Sequence, residues 1–163
     1  MFKSITQIWN EQEFSAKVVD EFLEMISESR LMLENAFLSF TKKGSNENLK
    51  DEIFQVDQKI NLTERNIRRR TLIHLSTQPD CNLSACLALI SIVKDAERLG
   101  DNVKNIVELK SLLKHPKRDS KLFLKLFDST GNNILDLFSK VETAFKNSNK
   151  NMALEAMNNG YEI

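Results

Sequence analysis

The chain has 163 residues, 41% hydrophobic and 28% charged, enough to bury a substantial core in one domain or one and a half. Its 23 basic and 23 acidic side chains balance, so no global field draws it to nucleic acid or anionic lipid, and any electrostatic function is local. Only four glycines and two prolines interrupt a chain rich in Leu, Lys, Glu, Asn, Ile and Phe, which favours long helices over sheets: the fold class read from composition is all-α.

No apolar stretch follows Lys3, and no run approaches about 18 apolar residues, so neither secretion nor membrane spanning is expected and the compartment reads as the cytoplasm. Residues 1–11 predict a short N-terminal packing helix with Phe2, Ile5, Ile8 and Trp9 on one side. From about Glu13 to Lys42 the positions Phe14, Val18, Phe22, Met25, Ser29, Leu33, Ala36 and Phe40 step by three or four, the helical period. Lys42, Lys43 and Gly44 close that helix.

Ser45 and Asn46 can cap a second helix running to about Ser76, whose stripe is Leu49, Ile53, Val56, Ile60, Ile67 and Leu72. The Thr77 to Asp80 stretch is a turn. Cys81 and Cys86, at the start of the third helix, share no face well and are expected to stay reduced and half-buried. That helix runs to about Leu113 on Leu83, Leu87, Ile90, Val93, Leu99, Val103, Ile106 and Leu109, before His115 and Pro116 break it. Three helices of about 30 residues with short turns make an antiparallel three-helix bundle about 45 Å long.

The pattern then restarts. Leu122, Phe127, Ile134, Phe138, Val141 and Phe145 mark a fourth helix, and Asn147 to Asn149 lead into a fifth. One constant shift along the chain carries Phe22 onto Phe127, Leu33 onto Phe138, Phe40 onto Phe145 and Leu49 onto Leu154, a weak internal repeat. The organisation expected is therefore a first three-helix repeat over 12–115 and the start of a second, truncated repeat over 116–163.

Chemistry concentrates on two helices. Glu97 and Asp101 stack one turn apart and repel each other, so they call for a cation: Arg98, Lys94 or a bound metal. On the second helix Asp57, Asn61, Glu64 and Arg68 form a stripe beside the core positions. Antiparallel pairing through the turn sets Asp57 and Asn61 opposite Asp101 and Glu97, so the two acidic groups should approach each other. Such oxygen ligands suit a divalent or trivalent ion such as Mg, Mn or Fe better than Zn, which more usually recruits His or Cys. The alternative is that these carboxylates make salt bridges with Arg65, Arg68, Arg98, Lys94 and Lys104. Gly100, inside a helix, fits close packing or a ligand.

The run Arg68, Arg69, Arg70, with Arg65 before it, points around its helix and reads as a solvated face rather than a nucleic-acid site. No Gly-rich phosphate loop, nucleophile elbow or Glu-x-x-His pair is present, so an enzyme is not expected; a metal-dependent hydrolase would have only Glu64 or Glu108 as its base.

The residues Asp57-x-x-Ile60-Asn61-x-x-Glu64, the Gln78-Pro79-Asp80 turn followed by Leu83, and above all Glu97-Arg98-Leu99-Gly100-Asp101-x-x-x-Asn105-Ile106 resemble the PhoU family of phosphate-uptake regulators. The resemblance implies paired three-helix bundles with metal-binding acidic motifs on their surface, Asp57, Glu97 and Asp101 in the ligand positions, and Asn61 or Glu64 completing the shell. It also implies a regulator of inorganic phosphate uptake and signalling that contacts a membrane phosphate transporter or a sensor histidine kinase and forms a homo-oligomer. The chain departs from the family pattern twice: Asn61 stands where a second carboxylate would be, and the acidic motif of the second repeat is absent. A different reading is a metal-free helical interaction module that dimerises through residues 120–163.

Overall fold

A computed structural model describes residues 14–41, 48–78, 80–112 and 120–162. The expected packing helix at Phe2 to Trp9, the Lys42 to Asn46 link with its cap, and the break at His115 and Pro116 lie outside them. Five helices follow in order: α1 Phe14–Thr41, α2 Leu49–Thr77, α3 Leu83–Leu112, α4 Ser120–Lys146 and α5 Lys150–Glu162. The architecture is all-α, a three-helix bundle of α1, α2 and α3 followed by the pair α4 and α5.

Each long helix buries a stripe spaced by three and four residues, the period that lets neighbouring helices interlock. In α1 the stripe is Val18, Phe22, Met25, Ser29, Met32 and Ala36; in α3 it is Cys86, Leu89, Val93, Ala96, Gly100, Val103 and Val107. Met25, Ile60 and Val93 are fully buried, and each contributes about 1.5–3 kcal/mol of hydrophobic stabilisation. In α2 the buried set alternates in character: Ile53, Ile60 and Ile67 are apolar, while Asp57, Glu64 and Thr71 between them are polar.

Two local devices set the turns. Gln78 N–H donates to the carbonyl of His74 to close α2, and the Asn82 side chain accepts from Ala85 N–H at 3.1 Å to open α3. Between α4 and α5, Asn149 N–H reaches back to the Ala144 carbonyl and Ser148 N–H to that of Phe145, with Ser148 in the left-handed region at φ 49°. This is a Schellman closure. Asn149 then caps α5, its side-chain oxygen accepting from Asn151 and Met152 N–H at 3.1 Å.

α1 is the hub, packed by α2, α3 and α4, while α5 lies along α4. The tilted rings of Phe22 and Phe145, 5.1 Å apart, and the contact of Phe37 with Gly131 run α4 antiparallel to α1. Phe138 of α4 joins the same core.

The stripes differ from the sequence expectation at one end. Leu72, Leu83 and Leu87, expected inside, are more than half exposed at 59%, 57% and 54%. At the start of α3 the small Ala85 and Cys86 face inward instead, packed against Leu75 of α2. Cys86 is thus fully buried rather than half-buried, Cys81 is half-buried, and neither is in a disulfide.

Candidate functional site

The acidic residues lie in the bundle's own seam. Counting from Ile53, the buried positions of α2 fall at Asp57, Ile60, Glu64 and Ile67, so Asp57 and Glu64 occupy packing positions rather than the flank of the stripe. Both are buried, as is Glu97 on α3. Asn61 is half-buried, and the Asp101 carboxylate stands 45% exposed at the edge.

Asp57 fits because its neighbours are small. A Cβ built on Gly100 would stand 3.6 Å from Asp57 Oδ1, 3.9 Å from Ser29 Oγ and 3.4 Å from Ile60 Cδ1. Ser29 of α1, Asp57 of α2 and Gly100 of α3 therefore form one layer across the bundle, in which two short residues leave space for a carboxylate. A buried carboxylate requires a cation or several donors. Lys104, one turn beyond Gly100 on α3, supplies the cation: its Nζ donates to Asp57 Oδ2 at 2.9 Å and pairs with Asp101 Oδ1 at 2.7 Å. Asn61 Nδ2 adds a second donor to Asp57 Oδ2 at 3.1 Å. Asp57 Oδ1 and Ser29 Oγ, both buried, have no hydrogen-bond partner among the described residues.

Burial alone would lower the Lys104 pKa. Hydrogen bonds to Asp101 and Asp57 outweigh it and hold the ammonium above the ordinary lysine value. The other two buried acids are matched along their own helices: Arg68 donates to Glu64 at 2.8 Å, and Lys94 to Glu97 at 2.6 Å. Glu97 and Asp101 therefore do not share one cation, and Arg98 serves neither, since it pairs with Asp95 at 3.2 Å on the surface.

The antiparallel register brings Asp57 and Asp101 together through Lys104; Asn61 joins at Asp57, whereas Glu64 and Glu97 each stand with a separate basic partner. Among the described residues no three His, Cys, Asp or Glu side chains are placed to hold a metal ion. As arranged, with each carboxylate already on an ammonium or guanidinium, the donor set does not fit one. Counting the α2 heptad from Ile53 would have put Asp57 and Glu64 inside the seam. Nothing in the sequence singled out Ser29 as a polar neighbour of Asp57.

The arginine run divides as its spacing implies. Arg70 forks onto both carboxylate oxygens of Glu21, at 2.6 and 2.5 Å, tying α2 to α1. Arg65, Arg68 and Arg69 line an open cleft of about 520 Å³ with Leu72 and Ile73. No helix among the described residues is long and apolar enough to cross a membrane.

No curated protein and no solved structure matches the chain. A family model described as the PhoU domain matches residues 22–109, most of α1 and α3 and all of α2, the three helices that build the acidic seam. Because that segment spans more than half of the sequence, the chain belongs to the PhoU domain family, a regulatory and non-enzymatic family whose members bind metal ions.

Proposed function

We propose that this chain regulates inorganic phosphate uptake and signalling as a cytoplasmic adaptor that docks to a membrane phosphate transporter or to the sensor histidine kinase of the phosphate response. The observation that carries the reading is the PhoU domain match over the whole acidic hairpin. Fold similarity by itself assigns no function; a family match including the acidic motifs supports one. A docking flank is available at the turn end of the α2 and α3 hairpin, where Leu72, Ile73, Leu83 and Leu87 are exposed, the first two in the cleft lined by Arg65 and Arg69. Of the expected ligands, Glu64, Glu97 and Asp101 each hold a basic side chain and Asp57 holds Lys104 through Oδ2, with Asn61 donating to the same oxygen, so a metal would compete with these cations.

Radiolabelled phosphate uptake in cells deleted for this chain tests the reading. Uptake that no longer falls when phosphate is plentiful, restored by the wild-type chain but not by a Leu72→Glu, Leu87→Glu variant that still folds, is the expected result. Uptake regulated as before in the deletion strain would overturn it.

A second reading, a metal-free module that dimerises through residues 120–163, is favoured by one observation. Leu137, Val141, Phe145, Ala153, Met157 and Gly160 line an almost wholly apolar groove of about 330 Å³ between α4 and α5. Light scattering on the purified chain tests this second reading: a dimer that Met157→Glu converts to monomer supports the module, and a monomer at all concentrations removes it.

A further inference from the structure

We propose that the Lys104 ammonium is a built-in substitute for a metal ion in this chain, bridging Asp57 and Asp101 and making the acidic seam independent of metal supply. The inference does not depend on which partner the protein docks to.

It rests on where the charges stand. Asp57 comes from α2 and Asp101 from α3, and the ammonium of Lys104 lies 2.9 and 2.7 Å from one oxygen of each. A cation between two carboxylates on neighbouring helices is the arrangement that a bridging metal would make. An ion seated there would meet a positive charge at van der Waals distance, so ammonium and metal exclude each other. The Lys104 side chain is 21% exposed, and its Nζ stands over the Phe54 ring, 5.8 Å from the ring centre, which adds to what holds the ammonium in place.

The ligand field is also weakened to match a single positive charge. Asn61 stands one turn after Asp57 and donates to Oδ2, the same oxygen that takes the lysine. An amide donor next to a carboxylate suits an ammonium neighbour, whereas a second carboxylate would call for the higher charge of a metal. Glu97 and Glu64, which could extend a site, are each neutralised by Lys94 and Arg68. The seam thus carries its cations covalently on α2 and α3, and chelation or metal starvation leaves its charge unchanged.

A double-mutant cycle with a metal measurement tests this on the full chain, purified without a histidine tag. Lys104→Met strands the buried Asp57 carboxylate and lowers the melting midpoint by about 5–10 °C; Lys104→Met combined with Asp57→Asn removes both charges and recovers most of the loss. A Lys104→Met chain that fails to fold while the double variant folds supports the proposal equally. Elemental analysis finds no stoichiometric metal in wild type, and neither chelator nor added Mn²⁺ or Fe³⁺ moves its midpoint. A stoichiometric ion in wild type that Asp101→Ala loses, or a Lys104→Met midpoint equal to wild type, overturns it.

Discussion

A Cβ on Gly131 would lie 2.9 Å from Cε2 of Phe37, so the fourth helix meets the first over bare backbone. Two further atoms of the ring stand at 3.0 and 3.1 Å from the same point. Gly131→Ala must push the ring aside, and the resulting strain exceeds the roughly 1 kcal/mol that alanine returns in helix propensity. At Gly100 the nearest atom would be at 3.4 Å, an ordinary contact. Chemical denaturation should therefore rank Gly100→Ala within about 1 kcal/mol of wild type and Gly131→Ala about 1–2 kcal/mol below it. The reverse order would mean that the acidic layer, not the α1 and α4 contact, is the tighter one.

The Phe22 and Phe145 rings make the other end of that contact, 5.1 Å apart and tilted at 57°. Phe22 is buried and Phe145 partly so. Phe145→Ala should cost about 2–3 kcal/mol and expose amides of α4 and α5 to hydrogen exchange more than those of α2 and α3. Uniform acceleration across all helices would show instead that the five helices unfold as one unit.

Ser148 holds φ 49°, where a side chain is strained and glycine is not. Replacing it with glycine keeps the Schellman hydrogen bonds, which are made by backbone groups. Ser148→Gly is expected to raise stability by about 0.5–1 kcal/mol in a urea titration, and a loss would assign the serine hydroxyl a bond that the turn needs.

Lys59 of α2 reaches two glutamates of α1, Glu24 at 2.6 Å and Glu28 at 2.5 Å. These hydrogen bonds, the one to Glu24 first, hold its pKa well above the ordinary lysine value against the opposing effect of burial. A pKa raised on folding contributes stability that is fully present below the unfolded lysine value and is lost as pH rises through the folded one. Lys59 and Glu24 are solvent-exposed and only Glu28 is partly buried, so Lys59→Met should cost about 1 kcal/mol or less and lose most of that at high salt. Denaturation of wild type and variant from neutral to strongly alkaline pH should show a constant gap that closes only above the lysine range; a gap that opens with rising pH would contradict the sign.

Much of this molecule is legible in its sequence, for a physical reason: helical period, glycine and proline scarcity, and turn residues are local properties. They place both ends of α1 and α3 and the end of α2 within a residue, though α2 starts at Leu49 with Asn48 as its cap rather than Ser45 or Asn46; they also locate the turn after Thr77 and predict the α4 to α5 junction at Asn147 to Asn149. The antiparallel register that sets Asp57 near Asp101 also follows from counting outward from a turn. The motif around Glu97 to Asp101 points to the PhoU family, and the family match bears that out.

What the tertiary structure alone decided is the phase of each stripe and the partner of each charge. Periodicity marks an apolar face about a third of the helix wide, and Leu72 and Leu87 fall outside it, while the inward position beside Leu87 goes to Cys86. The same ambiguity left Asp57 and Glu64 beside the core when they lie in it. Of the several cations within reach along the sequence, only the helix crossing selects Lys104 for Asp57, and only the layer of Ser29 and Gly100 gives that carboxylate room. Local sequence determines which residues are helical; distances across the bundle determine which cation each carboxylate meets.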